Sequence, residues 1–295
     1  MNDTRTPLAD SQRNIAVICG YGNLPLEIAE GARMSGWEPF MVGIEGEAGD
    51  AIRAYDHEFL AWGQVGRLFR LLRQRGIREV VFAGGIHKRP DLFKLKLDFG
   101  AILTLPQALV FMLGGDNTVL SGLIRIFEKR GIAIVGAHEI APGLLAGEGR
   151  IAGPRPGAGE LAGIRLAFEA CKALGRFDIG QAAVAEASRV VAVEGVEGTD
   201  ALLERICALR ETGRMPKTGK HGVLVKTMKP GQDMRADLPA IGPKTVTGVV
   251  RAGLKGIAIE AGHAIILERE ATLAAATAAG IFIYGVVASQ EDDNG

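Results

Sequence analysis

The chain has 295 residues, a length that fits two ordinary soluble domains. Hydrophobic residues make up 47% of it and charged residues 23%, which is the composition of a folded globular protein and excludes intrinsic disorder. The 34 basic and 34 acidic residues cancel and aromatic residues make up only 5%, so the composition argues against a nucleic-acid partner.

Residues 1–13 are polar, carry charges of both signs and have no apolar stretch. We expect a flexible tail there and not a secretory signal. The cysteines indicate a reducing compartment. Cys19, Cys171 and Cys207 are odd in number, lie far apart and are unsuited to a disulfide framework. Together these features predict a protein of the reducing cytoplasm.

The first half of the chain alternates short apolar runs with amphipathic helical patterns, which is typical of parallel sheets covered by helices. The predicted strands are Ile15–Cys19, Glu38–Gly43, Arg78–Phe82 and Ile132–Val135, and the predicted helices are Leu24–Ser35 and Gln64–Arg75. Gly36 and Gly76 follow these helices at positions where helices commonly end. We therefore predict an α/β domain with a Rossmann-like parallel sheet over residues 14–150.

Glycines and prolines are concentrated in Glu148–Glu160, which predicts an irregular connector and a domain boundary near residue 150. Beyond it, the pattern predicts helices at Leu161–Ala173, Asp200–Arg210 and Lys244–Arg251, and strands at Gln181–Glu186, Arg189–Glu194, Gly222–Lys226, Gly256–Glu260 and Ala264–Leu267. Only two residues separate the first two of these strands, so we expect a hairpin. Residues 151–290 are thus predicted to form an α+β domain with mixed strands.

Two uncharged segments raise the question of a membrane span. Ala271–Ser289 is nearly long enough, but Gly280 divides it into an alanine-rich helical part and a β-branched strand, Ile281–Val287. We predict that it is buried inside the protein. Phe99–Gly115 is interrupted by Pro106 and is too short to span, although it could still meet lipid.

The first predicted strand ends in a glycine-containing turn. Gly20, Gly22, Asn23 and Leu24 lie between this strand and a helix, where backbone amides and the helix N-terminus favour an anionic ligand. Pro25 stands where the dinucleotide fingerprint has its third glycine, so NAD binding is only weakly indicated. A tight strand-to-helix turn without a ligand explains the same residues.

A second glycine turn follows another strand of the same domain. Gly84 and Gly85 lead to Lys88 and Arg89, which could meet phosphate at the carboxyl edge of the sheet. The alternative is a simple turn with two solvated cations.

An acidic run follows a strand and precedes a helix in the second domain. Glu194, Glu197 and Asp200 are separated by glycines, so their carboxylates could converge on a cation. Thr199 and Asp200 are equally suited to begin a helix, where the helix dipole favours acidic residues.

The richest stretch begins at the end of a predicted strand. Lys226 and Lys229 are cations, Asp233 and Asp237 are oxygen ligands, and the Arg235 fork matches phosphate. In an extended chain the two aspartates would be roughly 13 Å apart, whereas a helical turn would bring them within about 6 Å. A shared Mg²⁺ therefore requires a turn here. The alternative is a surface loop in which aspartate and arginine neutralise one another.

Five segments together resemble one family. They are GYGNLP at Gly20–Pro25, FAGGIHKRP at Phe82–Pro90, FDIGQ at Phe177–Gln181, VEGVEGTD at Val193–Asp200 and VKTMKPGQDMRADLPAIG at Val225–Gly242. The chain resembles the UDP-2,3-diacylglucosamine pyrophosphatases of the LpxI type, from bacterial lipid A biosynthesis. The resemblance covers nearly the whole chain after the polar tail.

This resemblance implies Mg²⁺-dependent hydrolysis of UDP-2,3-diacylglucosamine to UMP and 2,3-diacylglucosamine 1-phosphate (lipid X), with water attacking the pyrophosphate. Asp233 and Asp237 would hold Mg²⁺ or orient the water, and Asp200 is a further metal candidate. The implied charge-stabilising residues are Lys226, Lys229 and Arg235. The implied substrate-binding residues are Gly20, Gly22, Asn23, Leu24, Gly84, Gly85, Arg89, Gln181, Glu194, Glu197 and Thr199.

The implied substrate has two acyl chains, so we expect a cytoplasmic protein that makes transient contact with the cytoplasmic face of the inner membrane. The sequence leaves a homodimer open. Two functions of other classes also remain: a nucleotide-sugar transferase, and a non-catalytic module that binds UDP ligands without turnover.

Overall fold

A computed structural model describes residues 13–86, 116–235 and 237–288, with only the backbone described for residues 116–119. The chain divides into two compact units. Of the described residues, the first unit contains 13–86 and 119–142, and the second contains 116–118 and those from Gly143 onward. The sequence predicted this division near residue 150. It lies earlier because Gly149–Ala152 pairs with Phe282–Val286 in the sheet of the second unit.

The first unit is a parallel sheet with helices. Its strands are β1 (Arg13–Cys19), β2 (Trp37–Ile44), β3 (Asp56–Leu60), β4 (Glu79–Ala83) and β5 (Ala133–Ile134), and its helices are α1 (Leu24–Met34), α2 (Val65–Gln74), α3 (Asp116–Glu128) and α4 (Ala137–Ile140). The strand order is β3-β2-β1-β4-β5, and every pairing is parallel. The predicted parallel sheet is therefore confirmed.

Burial explains which strands of this sheet the sequence revealed. β1 and β2 lie inside the sheet and carry runs of fully buried apolar residues, such as Ile15 to Val17. β3 was not predicted, because this edge strand reads DHEFL and only Leu60 in it is buried. Edge strands need less apolar sequence because only one side is paired.

The second unit contains a mixed six-stranded sheet. Its strands are β6 (Gly149–Ala152), β7 (Ala182–Glu186), β8 (Arg189–Val193), β9 (Val223–Lys226), β10 (Ala240–Ile241), β11 (Gly256–Glu260), β12 (Ile265–Ile266) and β13 (Phe282–Val286). Its helices are α5 (Ala158–Gly175), α6 (Gly198–Glu211), α7 (Pro243–Arg251) and α8 (Arg269–Ala278). The large sheet has the order β6-β13-β11-β9-β7-β8, and β10 and β12 form a separate parallel pair.

The strand directions confirm the predicted mixture. β9, β11 and β13 are parallel, whereas β6, β7 and β8 join through antiparallel pairings. The predicted hairpin is β7–β8, with Ala187 at φ +52° in its two-residue turn. The predicted irregular connector was wrong near both of its ends. Gly149–Ala152 forms β6, which is held by pairing with β13, and α5 begins at Ala158.

Alternating side chains along β9 build the core on both faces of this sheet. Val223 and Val225 pack with Ile164 of α5 on one face, and Leu224 packs with Leu202 of α6 on the other. Such alternation follows from the two-residue period of a strand. Because β9 and β11 are parallel, their last residues, Lys226 and Glu260, lie at the same edge of the sheet.

The uncharged Ala271–Ser289 segment folds into most of α8 and all of β13, as predicted. Within the described ranges, no helix combines the length and apolar character that crossing a bilayer requires. Phe99–Gly115 lies outside the described residues.

Candidate functional site

The glycine turns of the first unit lie side by side at the carboxyl ends of β1 and β4. The Tyr21 amide donates to the Gly85 carbonyl at 2.9 Å, and the Gly85 amide donates back to the Tyr21 carbonyl at 3.1 Å. A Cβ on Gly20 would lie 2.1 Å from the Gly85 oxygen, and one on Gly84, where φ is +88°, would lie 2.5 Å from the Tyr21 oxygen. These three glycines thus allow two backbone turns to approach each other.

The neighbouring residues begin helix α1. Gly22 has a φ of +97° and open space where a Cβ would project, and Asn23 is the N-cap residue before Leu24. The Asn23 carbonyl accepts from the amides of Leu26 at 3.0 Å and Glu27 at 3.2 Å. The predicted residues Gly22, Asn23 and Leu24 therefore lie at the sheet edge where α/β proteins bind ligands. Arg89 lies outside the described residues.

The second unit collects polar residues where β9 and β11 end and β7 begins. Glu194, directly after β8, is buried with 6% exposure. Its Oε2 accepts from the Gln181 amide at 3.1 Å, and its Oε1 accepts from the Thr199 hydroxyl at 2.9 Å. The Glu194 carboxylate thus joins the start of β7 to the first turn of α6.

The other two acids of the same run point elsewhere. Glu197 forms an ion pair with Arg205 at 3.3 Å, and the exposed Asp200 forms one with Lys244 at 2.5 Å. The three carboxylates therefore do not share one partner. Thr199 and Asp200 lie in the first turn of α6, which is the helix-start role that the sequence left open.

Lys226 is the buried cation of this edge. Its Nζ donates to the Ala240 carbonyl at 2.9 Å. Removal from water lowers the pKa of Lys226, and the charges of Glu194, Asp237 and Asp200 oppose that shift. The charges of these carboxylates thus act on Lys226, although its Nζ hydrogen bond goes to the Ala240 carbonyl.

The loop after β9 forms the turn that a shared metal would need. The Asp237 amide donates to the Asp233 carbonyl at 3.3 Å, which is the hydrogen bond of one helical turn. Gln232 is 7% exposed and holds the loop from inside, because its Oε1 accepts from the Lys229 amide at 3.1 Å and its Nε2 donates to Asp237 Oδ2 at 2.8 Å. The sequence did not single out Gln232.

Two charged residues of this loop are already paired. Arg235 donates from Nε to Asp233 Oδ1 at 3.0 Å and from Nη2 to Oδ2 at 2.7 Å, and this contact lowers the pKa of Asp233. Lys229 Nζ donates to Asp178 Oδ1 at 2.5 Å. The sequence left open a loop in which arginine neutralises aspartate. Arg235 and Asp233 form such a pair.

Asp178 was not predicted, although it belongs to the FDIGQ segment. It has a φ of +56° in the turn after α5, which places its carboxylate against Lys229. The nearby Gly180 is required by packing, because a Cβ there would lie 2.3 Å from the backbone carbonyl oxygen of Glu194.

A buried ion pair at the same edge was also missed. Glu260 is 3% exposed and accepts from Lys172 Nζ at 2.7 and 2.8 Å and from the Met228 amide at 2.8 Å. Lys172 Nζ also donates to the Met228 carbonyl at 3.0 Å. We call these three residues the Met228 clamp, since both polar groups of the Met228 backbone are bound. The sequence signal was a lone acid ending the apolar strand GIAIE.

The oxygen atoms of this edge suit a hard cation such as Mg²⁺. Carboxylates are preferred Mg²⁺ ligands, and Mg²⁺ completes its shell with phosphate and water. Among the described residues the buried Gln181 Oε1 has no hydrogen-bond partner, which is consistent with a ligand or water at this edge. In the described ranges no group of three or more His, Cys, Asp or Glu side chains converges as a metal cage would.

Two comparisons identify similar proteins. Family models for the LpxI N-terminal domain and the LpxI C-terminal domain match residues 14–144 and 147–284, and they meet close to the division between the two units. A protein of Caulobacter vibrioides named UDP-2,3-diacylglucosamine pyrophosphatase LpxI is 37% identical over 274 residues, covering 93% of this chain and 98% of that protein.

Proposed function

The chain belongs to the LpxI family, and on this basis we propose that it is a UDP-2,3-diacylglucosamine pyrophosphatase. The observation that supports this activity is the loop after β9, where Gln232 binds Asp237 one helical turn from the Asp233–Arg235 pair and Lys229 lies close by in sequence. Cations and carboxylates together are what the hydrolysis of an anionic pyrophosphate requires.

In the proposed reaction, water attacks the phosphorus on the lipid-sugar side and the bond from that phosphorus to the bridging oxygen breaks. The products are UMP and 2,3-diacylglucosamine 1-phosphate. Asp237 accepts a proton from the water, while Gln232 and the turn at Asp233 orient its carboxylate. Lys229 and Arg235 stabilise the negative charge that develops on the phosphoryl oxygens.

The proposed cofactor is Mg²⁺, with Asp233, Asp237 and Asp200 as candidate ligands. When bound, it would neutralise charge on the pyrophosphate oxygens. Lys226 would contribute positive charge from below the surface, since the charges of Glu194 and Asp237 act on it. Gln181 and Thr199 would fix Glu194.

The substrate also needs a nucleotide site and access to lipid. We propose that the turn at Gly22, Asn23 and Leu24 contacts the uridine or phosphate part, since it lies at the ligand-binding edge of a parallel sheet. The protein would reach its acyl substrate by transient contact with the inner-membrane surface.

The deciding experiment is UMP release from UDP-2,3-diacylglucosamine by purified protein, with Mg²⁺ or with EDTA. We expect Asp237→Asn to reduce kcat about hundredfold or more, which is the usual contribution of a general base. Asp50→Asn is the control, because it removes an exposed carboxylate of the first unit that is paired with Arg53.

The other outcomes discriminate the alternatives. Substrate binding without UMP release, unchanged in Asp237→Asn, would identify a binding module. Release that depends on an added acceptor would identify a transferase. UMP release that persists fully in EDTA would contradict the Mg²⁺ requirement.

A further inference from the structure

The first unit has a cavity far from its glycine turns. It has a volume of about 770 Å³ and lies between α2, the turn before β4 and the turn before β5. The glycine turns follow β4 at its other end, and five residues at the strand rise separate the two places by about 16 Å. The cavity is therefore distinct from the proposed nucleotide turn.

Four arginines line this cavity. They are Arg70, Arg73, Arg78 and Arg130, and no acidic residue is among the described residues that line it. Within the described residues, Arg70, Arg73 and Arg78 form no ion pair. Elsewhere in the same unit, Arg33, Arg53, Arg67 and Arg75 each pair with a carboxylate. As far as the described residues go, positive charge is thus uncompensated here, in a chain whose net charge is zero.

One of these guanidinium groups is held in place. The Arg130 guanidinium carbon lies over the Phe69 ring, 4.4 Å from the ring centroid. Arg130 Nη1 also donates to the Ile126 carbonyl at 3.0 Å. The Phe69 ring in turn packs against Phe127 with centroids 5.0 Å apart. A fixed cation loses little conformational entropy when it binds a ligand.

Two helix ends provide the competing explanation for these arginines. α2 and α3 both end beside the cavity, and Gly76 and Gly131 follow them with φ of +65° and +72°. A helix C-terminus carries about half a negative charge, so the two ends supply about one charge together. Four guanidinium groups exceed this, and about three positive charges are left to attract an anion.

We propose that this cavity binds a phosphate-bearing anion. The arginine fork matches the geometry of phosphate oxygens, and a concave site with low-dielectric walls strengthens the local positive field. The volume is in the usual range for small-molecule sites. The phosphate could belong to a soluble anion or to a lipid headgroup, and this proposal does not rest on the proposed hydrolase.

The test compares a cavity variant with a charge-matched control. Arg73→Gln/Arg78→Gln removes two exposed, unpaired cations from the cavity. Arg33→Gln/Arg125→Gln removes two exposed cations of the same unit that do not line it. None of the four side chains is buried, so both variants should fold. Thermal melts check that they do.

Two probes separate the sources of phosphate. Calorimetric titration with inorganic pyrophosphate tests a soluble anion, and cosedimentation with vesicles of phosphatidylcholine, with or without phosphatidylglycerol, tests a headgroup. We expect the cavity variant to lose about tenfold or more in affinity for at least one probe, equivalent to 1.4 kcal/mol, while the control changes less than twofold. Loss for pyrophosphate indicates a soluble anion, and loss for phosphatidylglycerol vesicles alone indicates a headgroup.

Equal affinities of the cavity variant and the control for both probes would overturn the proposal. UMP release from detergent-dispersed substrate should be the same in both variants, because the cavity lies outside the proposed catalytic residues. If UMP release is absent from every form of the protein, the binding comparison still decides the anion site.

Discussion

Asp233 and Asp237 have different neighbours although one helical turn joins them. The Asp233 carboxylate contacts the charged Arg235, whereas Asp237 Oδ2 accepts from the neutral Gln232 amide. A guanidinium favours the ionised carboxylate and therefore lowers its proton affinity, as the lowered pKa of Asp233 reflects. Because both carboxylate oxygens of Asp233 are bound by Arg235, we assign the placement of Arg235 to Asp233 and the water-activating role to Asp237.

The Asp233–Arg235 pair predicts a pH-dependent contribution to stability. Because the pKa of Asp233 is lowered in the folded protein, its contribution is present above the ordinary value of 3.8 and is lost as the pH falls below it. Asp233→Asn should reduce the free energy of unfolding by about 0.5–1 kcal/mol at pH 6, since the pair is partly exposed. Urea unfolding of both proteins from pH 3 to pH 7 measures this difference.

The difference between the two proteins should decrease steadily as the pH falls from 3.8 toward 3, because the unfolded chain takes up the Asp233 proton first, and it should vanish only below the lowered pKa of the folded protein. Arg235→Gln should remove the same pH-dependent part, because it removes the cation. A difference that is constant over the whole pH range would contradict the assignment.

At the scale of elements, the loop after β9 depends on its first residues. The Met228 clamp joins the last turn of α5 and the end of β11 to the loop that carries Lys229, Asp233 and Asp237. It therefore fixes the loop relative to the sheet. We class Lys172 and Glu260 as positioning residues, since they act through the Met228 backbone.

Glu260→Gln should reduce kcat about tenfold with a smaller change in KM. The variant keeps the shape of the side chain but leaves the Lys172 ammonium without its counter-charge, which should also destabilise the fold by about 3 kcal/mol. UMP release and thermal melting measure the two effects. Glu160→Gln is the matched control, because the Glu160–Lys255 pair involves the start of α5 and the residue before β11.

The control should lose stability without a comparable loss of kcat. If Glu260→Gln turns over at the wild-type rate per folded molecule, the clamp has only a structural role. Lys172→Met combined with Glu260→Gln should recover part of the stability, because no unpaired charge then remains.

At the scale of the whole molecule, the proposed substrate must be taken from a bilayer. Transient contact with the membrane surface predicts that the protein is released from a membrane pellet by high salt or a chaotropic wash. Immunoblotting of the washed fractions from cells that express the protein measures this release. Retention in the pellet after the wash would contradict a peripheral association.

The sequence by itself determined the elements whose signal is local. The apolar runs of β1 and β2, the two-residue hairpin at Ala187 and the division of Ala271–Ser289 at Gly280 were all predicted, because periodicity and turn residues act over a few positions. The polar edge strand β3 and the short strands β6 and β10 were missed. Such strands are stabilised by their neighbours more than by their own residues.

Only the tertiary structure decided which charges meet. Lys172 and Glu260 are 88 residues apart, and Lys229 and Asp178 are 51 apart, so no local pattern connects them. The sequence indicated the residue types of a phosphate and magnesium site, and the fold determined that Glu194 is buried, that Asp200 faces Lys244 and that Arg235 is paired with Asp233. Side-chain pairing depends on distance in space, and the packing of the sheet and its helices sets that distance.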